Sequence, residues 1–239
     1  MSTAVITGSA RGIGAAIAAL FADLGYNVVI NYNTSEKEAL ELKEKLGDKA
    51  IAVKADVSTS EGAKLLFEKA NEAFGGVDVL VNNAGIAQQK LFTDITQADY
   101  DRMFDCNVRS VFNCCQCALP YMIHNKYGRI INVSSMWGIV GASCEVHYSA
   151  SKAAVIGMTK ALAREVAPSG ITVNCIAPGV IDTPMNKCFD EETMNALIEE
   201  TPVGRIGTPE DAARAVLFFA DEKSGFITGQ ILGVDGAFI

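Results

Sequence analysis

Short β-branched apolar runs alternate along this chain with longer stretches of helical periodicity, and few folds accommodate that alternation. The runs are AVIT (4–7), VVINY (28–32), AIAV (50–53), VLV (79–81), RIINV (129–133), ITVNC (171–175) and ILGV (231–234). Each is nearly continuous in apolar residues, as in strands buried on both faces. Helical patterns lie between them at about 13–24, 36–46, 60–74, 97–124, 148–167 and 209–220. Thr208 followed by Pro209 supplies a cap and a first-turn proline for the last of these. Repeated β–α alternation predicts an α/β chain with a seven-stranded parallel sheet and helices on both faces. No linker, repeat or low-complexity tract divides the 239 residues, so one domain over 1–239 is expected. Sheets of this kind bind ligands beyond the C-terminal ends of their strands, which directs attention to the segments just after each strand.

Composition removes several function classes. The formal net charge of −8 argues against a nucleic-acid groove, which needs a basic patch, and gives no attraction to anionic membranes. No apolar run is long enough to span a bilayer. The start, MSTAVITGSARGIG, lacks the basic and long apolar regions of a secretion signal, so a cytoplasmic location is expected. Seven cysteines include Cys114, Cys115 and Cys117 in one segment. Zinc needs paired ligands at matched spacing, and the histidines are only His124 and His147. Buried reduced thiols on a helix, and no metal site, are the expectation.

The first strand runs into Thr7-Gly8-Ser9-Ala10-Arg11-Gly12-Ile13-Gly14, followed by a helix. Glycines there let the backbone turn tightly and approach a pyrophosphate, which the helix N-terminus then receives. No Gly-Lys-Ser/Thr ending marks a triphosphate loop. The second strand ends Asn31-Tyr32-Asn33, without the acidic residue that accepts a ribose 2′-hydroxyl. Arg11, with Asn31, Thr34 and Ser35, suits a 2′-phosphate instead, which favours NADP(H) over NAD. Asp56-Val57 follow the third strand, where an Asp accepts from an adenine amino group or caps the next helix. Asn82-Asn83-Ala84-Gly85 follow the fourth; the small residues suit close approach to a ligand, or a plain turn. Asn107 interrupts the long helical pattern 97–124, and Ser134-Ser135 follow the fifth strand.

Tyr148 and Lys152 stand four apart in YSASK, about one helical turn, so both side chains share a face. A free tyrosine, with a pKa of about 10, is a poor acid at neutral pH. A neighbouring ammonium favours the phenolate and would draw that value toward neutrality. The pair is a candidate proton-transfer device.

TGSARGIG, DV, NNAG, the Asn of NVRSVF, the Ser of NVSSMWG, YSASK and PGVIDT occur in the order found in the short-chain dehydrogenase/reductase family, which the whole chain resembles. GRIGTPEDAARAV and SGFITGQILGVDG resemble its 3-oxoacyl-(acyl-carrier-protein) reductase branch, and SSMWGIVGASCEVHYSASK resembles reductases of the 5-aminopentanone group on elongation factor P. The resemblance implies a Rossmann fold and an NADPH-dependent reduction of a ketone, free or carrier-tethered, to a secondary alcohol. It implies that Tyr148 donates the proton, that Lys152 lowers its pKa and holds the nicotinamide ribose, that Ser135 stabilises the carbonyl oxygen, and that Asn107 holds a water linking Lys152 to solvent. Gly8, Ser9, Arg11, Gly12, Ile13, Gly14, Asn31, Asp56, Val57, Asn83, Ala84, Gly85, Tyr148 and Lys152 form the expected cofactor site. Pro178, Gly179, Ile181 and Thr183 complete it at the nicotinamide end. It also implies a substrate lid over about 183–207, a stretch that holds the apolar Met185, Phe189, Met194 and Leu197, the acidic Asp190, Glu191 and Glu192, and a short helix around 190–200; and it implies a homotetramer built on the long helices and the last strand.

Two local readings remain open at this stage. Lys126 and Arg129 make either a small basic patch for an acidic carrier or ordinary surface charges. Glu145 is either a surface residue at a helix start or an anion that would attract an amine-bearing substrate. A non-catalytic NADP(H) sensor on the same fold is a further alternative.

Overall fold

The computed structural model describes residues 2–186 and 190–239. Its strands are β1 (Thr3–Ile6), β2 (Asn27–Tyr32), β3 (Ala50–Lys54), β4 (Val79–Asn82), β5 (Gly128–Val133), β6 (Ile171–Pro178) and β7 (Ile231–Val234). The helices are α1 (Gly12–Asp23), α2 (Glu36–Leu46), α3 (Ser60–Phe74), α4 (Gln97–Phe104), α5 (Ser110–Asn125), α6 (Trp137–Val140), α7 (Val146–Val166), α8 (Glu191–Glu200) and α9 (Pro209–Ala220). The strands form one seven-stranded sheet in the order β3-β2-β1-β4-β5-β6-β7, every pair parallel.

The apolar runs are continuous because the sheet has two buried faces. Val5, Val29, Leu80, Ile130 and Val173 point to the side covered by α3, α5 and α7. Ala4, Ile6, Val28, Ile30, Val79, Val81 and Ile131 point to the other, under α1 and α9. Side chains alternate across a strand, so each run feeds both cores in turn. Cys114 and Cys115 on α5 are buried in the first of these cores, as expected of structural thiols. The chain leaves β1 toward β2 and β3 and then returns to place β4 on the other side of β1. The crevice for a ligand opens at that reversal, above the ends of β1 and β4.

The expected helix over 97–124 is three pieces. α4 and α5 are joined by a π-helical segment, Asp105–Arg109, with Asn107 at its centre. Such a π segment is rare and recurs at functional sites, and here it carries Asn107, which bonds Ile86 in the loop after β4 and Ser151 on α7. β6 runs on past ITVNC to Pro178, and α6 was not legible as a periodic pattern. Among the described residues, no helix is long and apolar enough to cross a membrane.

Candidate active site

The turn after β1 is built as a cradle. Gly8 and Gly12 take φ of +61° and +57°, in the left-handed region that penalises any Cβ. A Cβ on Gly8 would also lie 2.9 Å from the Ala84 Cα, and one on Gly14 would lie 2.7 Å from the Gly8 carbonyl oxygen. Glycine therefore lets the turn, the start of α1 and the loop after β4 nest together. Thr7 locks the turn to the loop after β4: its Oγ1 accepts from the Asn83 and Ala84 N–H groups, both at 3.0 Å. Asn83 returns Nδ2 bonds to the Thr7 and Gly8 carbonyls at 2.9 and 3.1 Å. α1 has no side-chain cap at Arg11, so its first-turn N–H groups face the cradle.

Several expected ligand side chains prove to be builders of this cradle. Asn31 was expected to meet a 2′-phosphate, yet it is 2% exposed. Its Oδ1 accepts from the Gly8 N–H at 3.1 Å and its Nδ2 donates to the Ala55 carbonyl at 2.9 Å. A buried amide needs those partners, and they turn it away from the crevice. Ser9 is likewise internal, donating to the Ile6 carbonyl at 2.7 Å. Val57 lies in the core, leaving only its backbone to face a ligand. Arg11, Thr34 and Asp56 remain exposed along the rim, with Ser35 half-buried. Asp56 accepts from the Ser58 hydroxyl, while Thr59, not Asp56, caps α3.

Beyond the cradle, β5 and α7 bring Ser135, Tyr148 and Lys152 together, all largely buried. The Ser135 hydroxyl faces the Tyr148 phenol closely enough to lower its pKa, but burial outweighs it and, with Glu145 nearby, pushes the phenol up to about 12. Lys152 shares the helical face as its spacing predicts, with Nζ 5.8 Å from the Tyr148 ring centre. Its ammonium donates to the Val133 carbonyl at 2.9 Å, not to the phenol, and burial brings its pKa down to about 8. The expectation that Lys152 draws Tyr148 toward neutrality is therefore not met by this arrangement: a buried ammonium takes the nearest acceptor, here the end of β5.

Asn107 reaches this cluster from the π segment. Its Oδ1 accepts from the Ile86 N–H at 2.8 Å, and its Nδ2 donates to the Ile86 carbonyl at 2.9 Å and to the Ser151 hydroxyl at 3.0 Å. It ties the loop after β4 to α7. Gly85 lies between them; a Cβ there would be 3.0 Å from Asn107 Oδ1 and 3.3 Å from Lys152 Nζ. Ser134 turns the other way and donates to the Lys152 carbonyl at 2.9 Å. Sequence reasoning missed Thr7, Ser151 and Gly138. A Cβ on Gly138 would meet the Lys152 backbone at 2.8 Å, so α6 sits directly on the active-site turn of α7. For Gly138 the available signal was a glycine three residues after Ser135.

Pro178, Gly179 and Ile181 lie at and just beyond the end of β6, and Thr183 approaches the cradle, where a Cβ on Gly12 would meet it at 3.5 Å. α8 is the short helix expected near 190–200, capped by Asp190, which accepts from the Thr193 N–H at 2.8 Å. Met194 and Leu197 are half-buried and Met185 is exposed, while Phe189 lies outside the described residues.

Both open local readings change. Arg129 is 4% exposed, at the N-terminal edge of β5, stacked on Tyr127 and donating to the Gly128 and Glu222 carbonyls. It is neither a patch nor a surface charge, and it lies at the opposite end of the sheet from Tyr148. Glu145 is 9% exposed and accepts from Gln89 Nε2 at 3.2 Å; burial raises its pKa, and the Gln89 hydrogen bond partly opposes that. It is therefore not a surface residue at a helix start.

Comparison with known proteins agrees with this geometry. A family model described as Enoyl-(Acyl carrier protein) reductase matches residues 8–238. The 3-oxoacyl-(acyl-carrier-protein) reductase FabG of Chlamydia muridarum is 41% identical over 236 residues, covering 98% of this chain and 95% of the relative. The proteins of that name from Staphylococcus aureus and Thermotoga maritima are each 40% identical, over 237 and 241 residues, covering 98% of this chain and 96% of each relative. With that likeness over its whole length, the chain belongs to the short-chain dehydrogenase/reductase family of oxidoreductases, in its FabG-like branch.

Proposed function

We propose that the protein is an NADPH-dependent 3-oxoacyl-(acyl-carrier-protein) reductase, converting a ketone to a secondary alcohol. The observation that carries the reading is the pairing of Ser135 and Tyr148, two hydroxyls from the segment after β5 and from α7. A ketone accepting a hydride needs a donor on its oxygen and a proton at the end. Ser135 supplies the first by stabilising developing negative charge, and Tyr148 supplies the second. With its pKa pushed up to about 12, Tyr148 keeps its proton until hydride transfer to the ketone leaves an alkoxide, a stronger base than the phenolate, to take it.

The residues present fit a dinucleotide. The cradle offers uncapped helix N–H groups and a floor that a Cβ would fill. NADPH, when bound, supplies the hydride. Arg11 at the rim takes the 2′-phosphate, Lys152 and Tyr148 hold the nicotinamide ribose, and Pro178, Gly179, Ile181 and Thr183 border the ring. Residues 183–186 and 190–207 cover the substrate. The chain assembles as a homotetramer, an arrangement favoured by exposed Phe112 and Ile123 on α5 and by the open edge of β7.

Arg11→Ala is expected to weaken NADPH by roughly 10- to 100-fold, the value of charge-assisted hydrogen bonds, and NADH by little. Titration of both cofactors by fluorescence checks this; equal losses would remove the 2′-phosphate role. NADPH oxidation with a 3-oxoacyl thioester, set beside a 2-enoyl thioester, tests the reaction itself. Turnover of the enoyl compound alone would overturn the reading.

A further inference from the structure

The helix that carries Tyr148 begins badly by its own means. Cys144, just before it, has φ +60°, a strained value for a residue with a side chain. Glu145 occupies the N-cap position and makes no side-chain cap hydrogen bond. Stability at this end comes from elsewhere. The loop after β4 runs alongside and supplies three consecutive contacts. Gln88 Oε1 lies 2.9 Å from His147 Nε2, Gln89 Nε2 donates to Glu145 Oε1 at 3.2 Å, and the Lys90 N–H donates to the Cys144 carbonyl at 2.7 Å.

The loop is itself fastened. Gln88 Nε2 donates to Asp99 Oδ1 at 3.0 Å and Lys90 Nζ to Asp99 Oδ2 at 2.7 Å, while Asp99 closes the capping box of α4 with Thr96. Because the Gln88 amide nitrogen is committed to Asp99, its oxygen is the acceptor and His147 Nε2 the donor. At the loop's other end Asn107 grips both backbone groups of Ile86.

We propose that Gln88 and Gln89, acting on His147 and Glu145, form a bracket that holds the first turn of α7 against the loop after β4 and so positions the Tyr148 hydroxyl beside Ser135. These four are positioning residues, since each acts through Tyr148. The two glutamines grip side chains one residue and three residues before the tyrosine, replacing the cap the helix lacks. Catalysis is sensitive to such placement: an error of about 1 Å costs on the order of 10²-fold in rate.

The test uses the full chain with both Gln88 and Gln89 replaced by alanine. Amide hydrogens of residues 146–150 should exchange about tenfold faster than in the wild type, as a locally opened turn does. The kcat for a 3-oxoacyl thioester should fall about tenfold while KM for NADPH stays within about twofold. His147→Leu should reproduce part of the loss, and His147→Gln, which keeps a donor for Gln88, should recover it. Unchanged exchange would overturn the bracket, and faster exchange with unchanged kcat would overturn its positioning role. The inference rests on Tyr148 as proton donor. A wild-type protein that turns over no ketone would remove that role and the positioning with it, and is told apart because exchange still reports the bracket.

Discussion

Tyr148→Phe is expected to lower kcat for ketone reduction by about 10²- to 10⁴-fold, the usual worth of a positioned proton donor, while NADPH binding survives. The phenol is 8% exposed, so the change removes one oxygen from a packed ring and leaves the packing in place. What disappears is the proton aimed at the carbonyl oxygen. Ser135 remains and keeps part of the electrostatic stabilisation, which sets a floor to the loss. Steady-state rates with a 3-oxoacyl thioester, together with fluorescence titration of NADPH, separate the two effects. Retained turnover would show that another group protonates the product.

Lys152→Met should have an equally large effect on activity and an opposite one on stability. The lysine is 6% exposed, and burial brings its pKa from 10.5 down to about 8. The unfolded chain therefore binds this proton more tightly than the folded one. Below about pH 8 the folded protein bears the full cost of a buried charge, and that cost declines as pH rises toward 10.5, so wild-type stability at this site increases across that window. Methionine keeps the apolar stem and removes the charge. Allowing for the hydrogen bond lost at the Val133 carbonyl, the variant should be more stable by about 1–3 kcal/mol at neutral pH. The difference should shrink at about pH 10. Activity should fall by at least about 10²-fold, because the cofactor and Tyr148 lose a fixed neighbour. Thermal unfolding at both pH values checks the claim; a variant less stable than the wild type at neutral pH would contradict it. Active sites commonly trade stability for function in this way.

Much of this was legible in the sequence, for identifiable reasons. Seven apolar runs separated by helical periodicity forced a parallel sheet, because only strands covered on both faces carry such runs. Gly8, Gly12 and Gly14 revealed the cradle, since positive φ and close backbone approach leave no room for a Cβ. Tyr148 and Lys152 shared a face by spacing alone. Side-chain direction was the part that could not be read. Asn31 and Arg129 are polar and lie at strand ends, where sequence cannot distinguish a group facing solvent from one buried against carbonyls. Lys152 was rightly placed, but the acceptor it chose depends on where β5 ends. The π segment at Asn107 breaks the very periodicity by which helices are recognised, so it read as one long helix. The bracket from Gln88 and Gln89 to Glu145 and His147 joins residues more than fifty positions apart, and no local pattern announces it.

The central claim is that Ser135 and Tyr148 act on a ketone oxygen beside a bound NADPH. It is tested most directly by following NADPH oxidation by the purified protein with a 3-oxoacyl chain attached to acyl carrier protein, and by identifying the product. The account predicts stoichiometric formation of the 3-hydroxyacyl product, lost in Tyr148→Phe. Cofactor binding without any consumption of NADPH would contradict it.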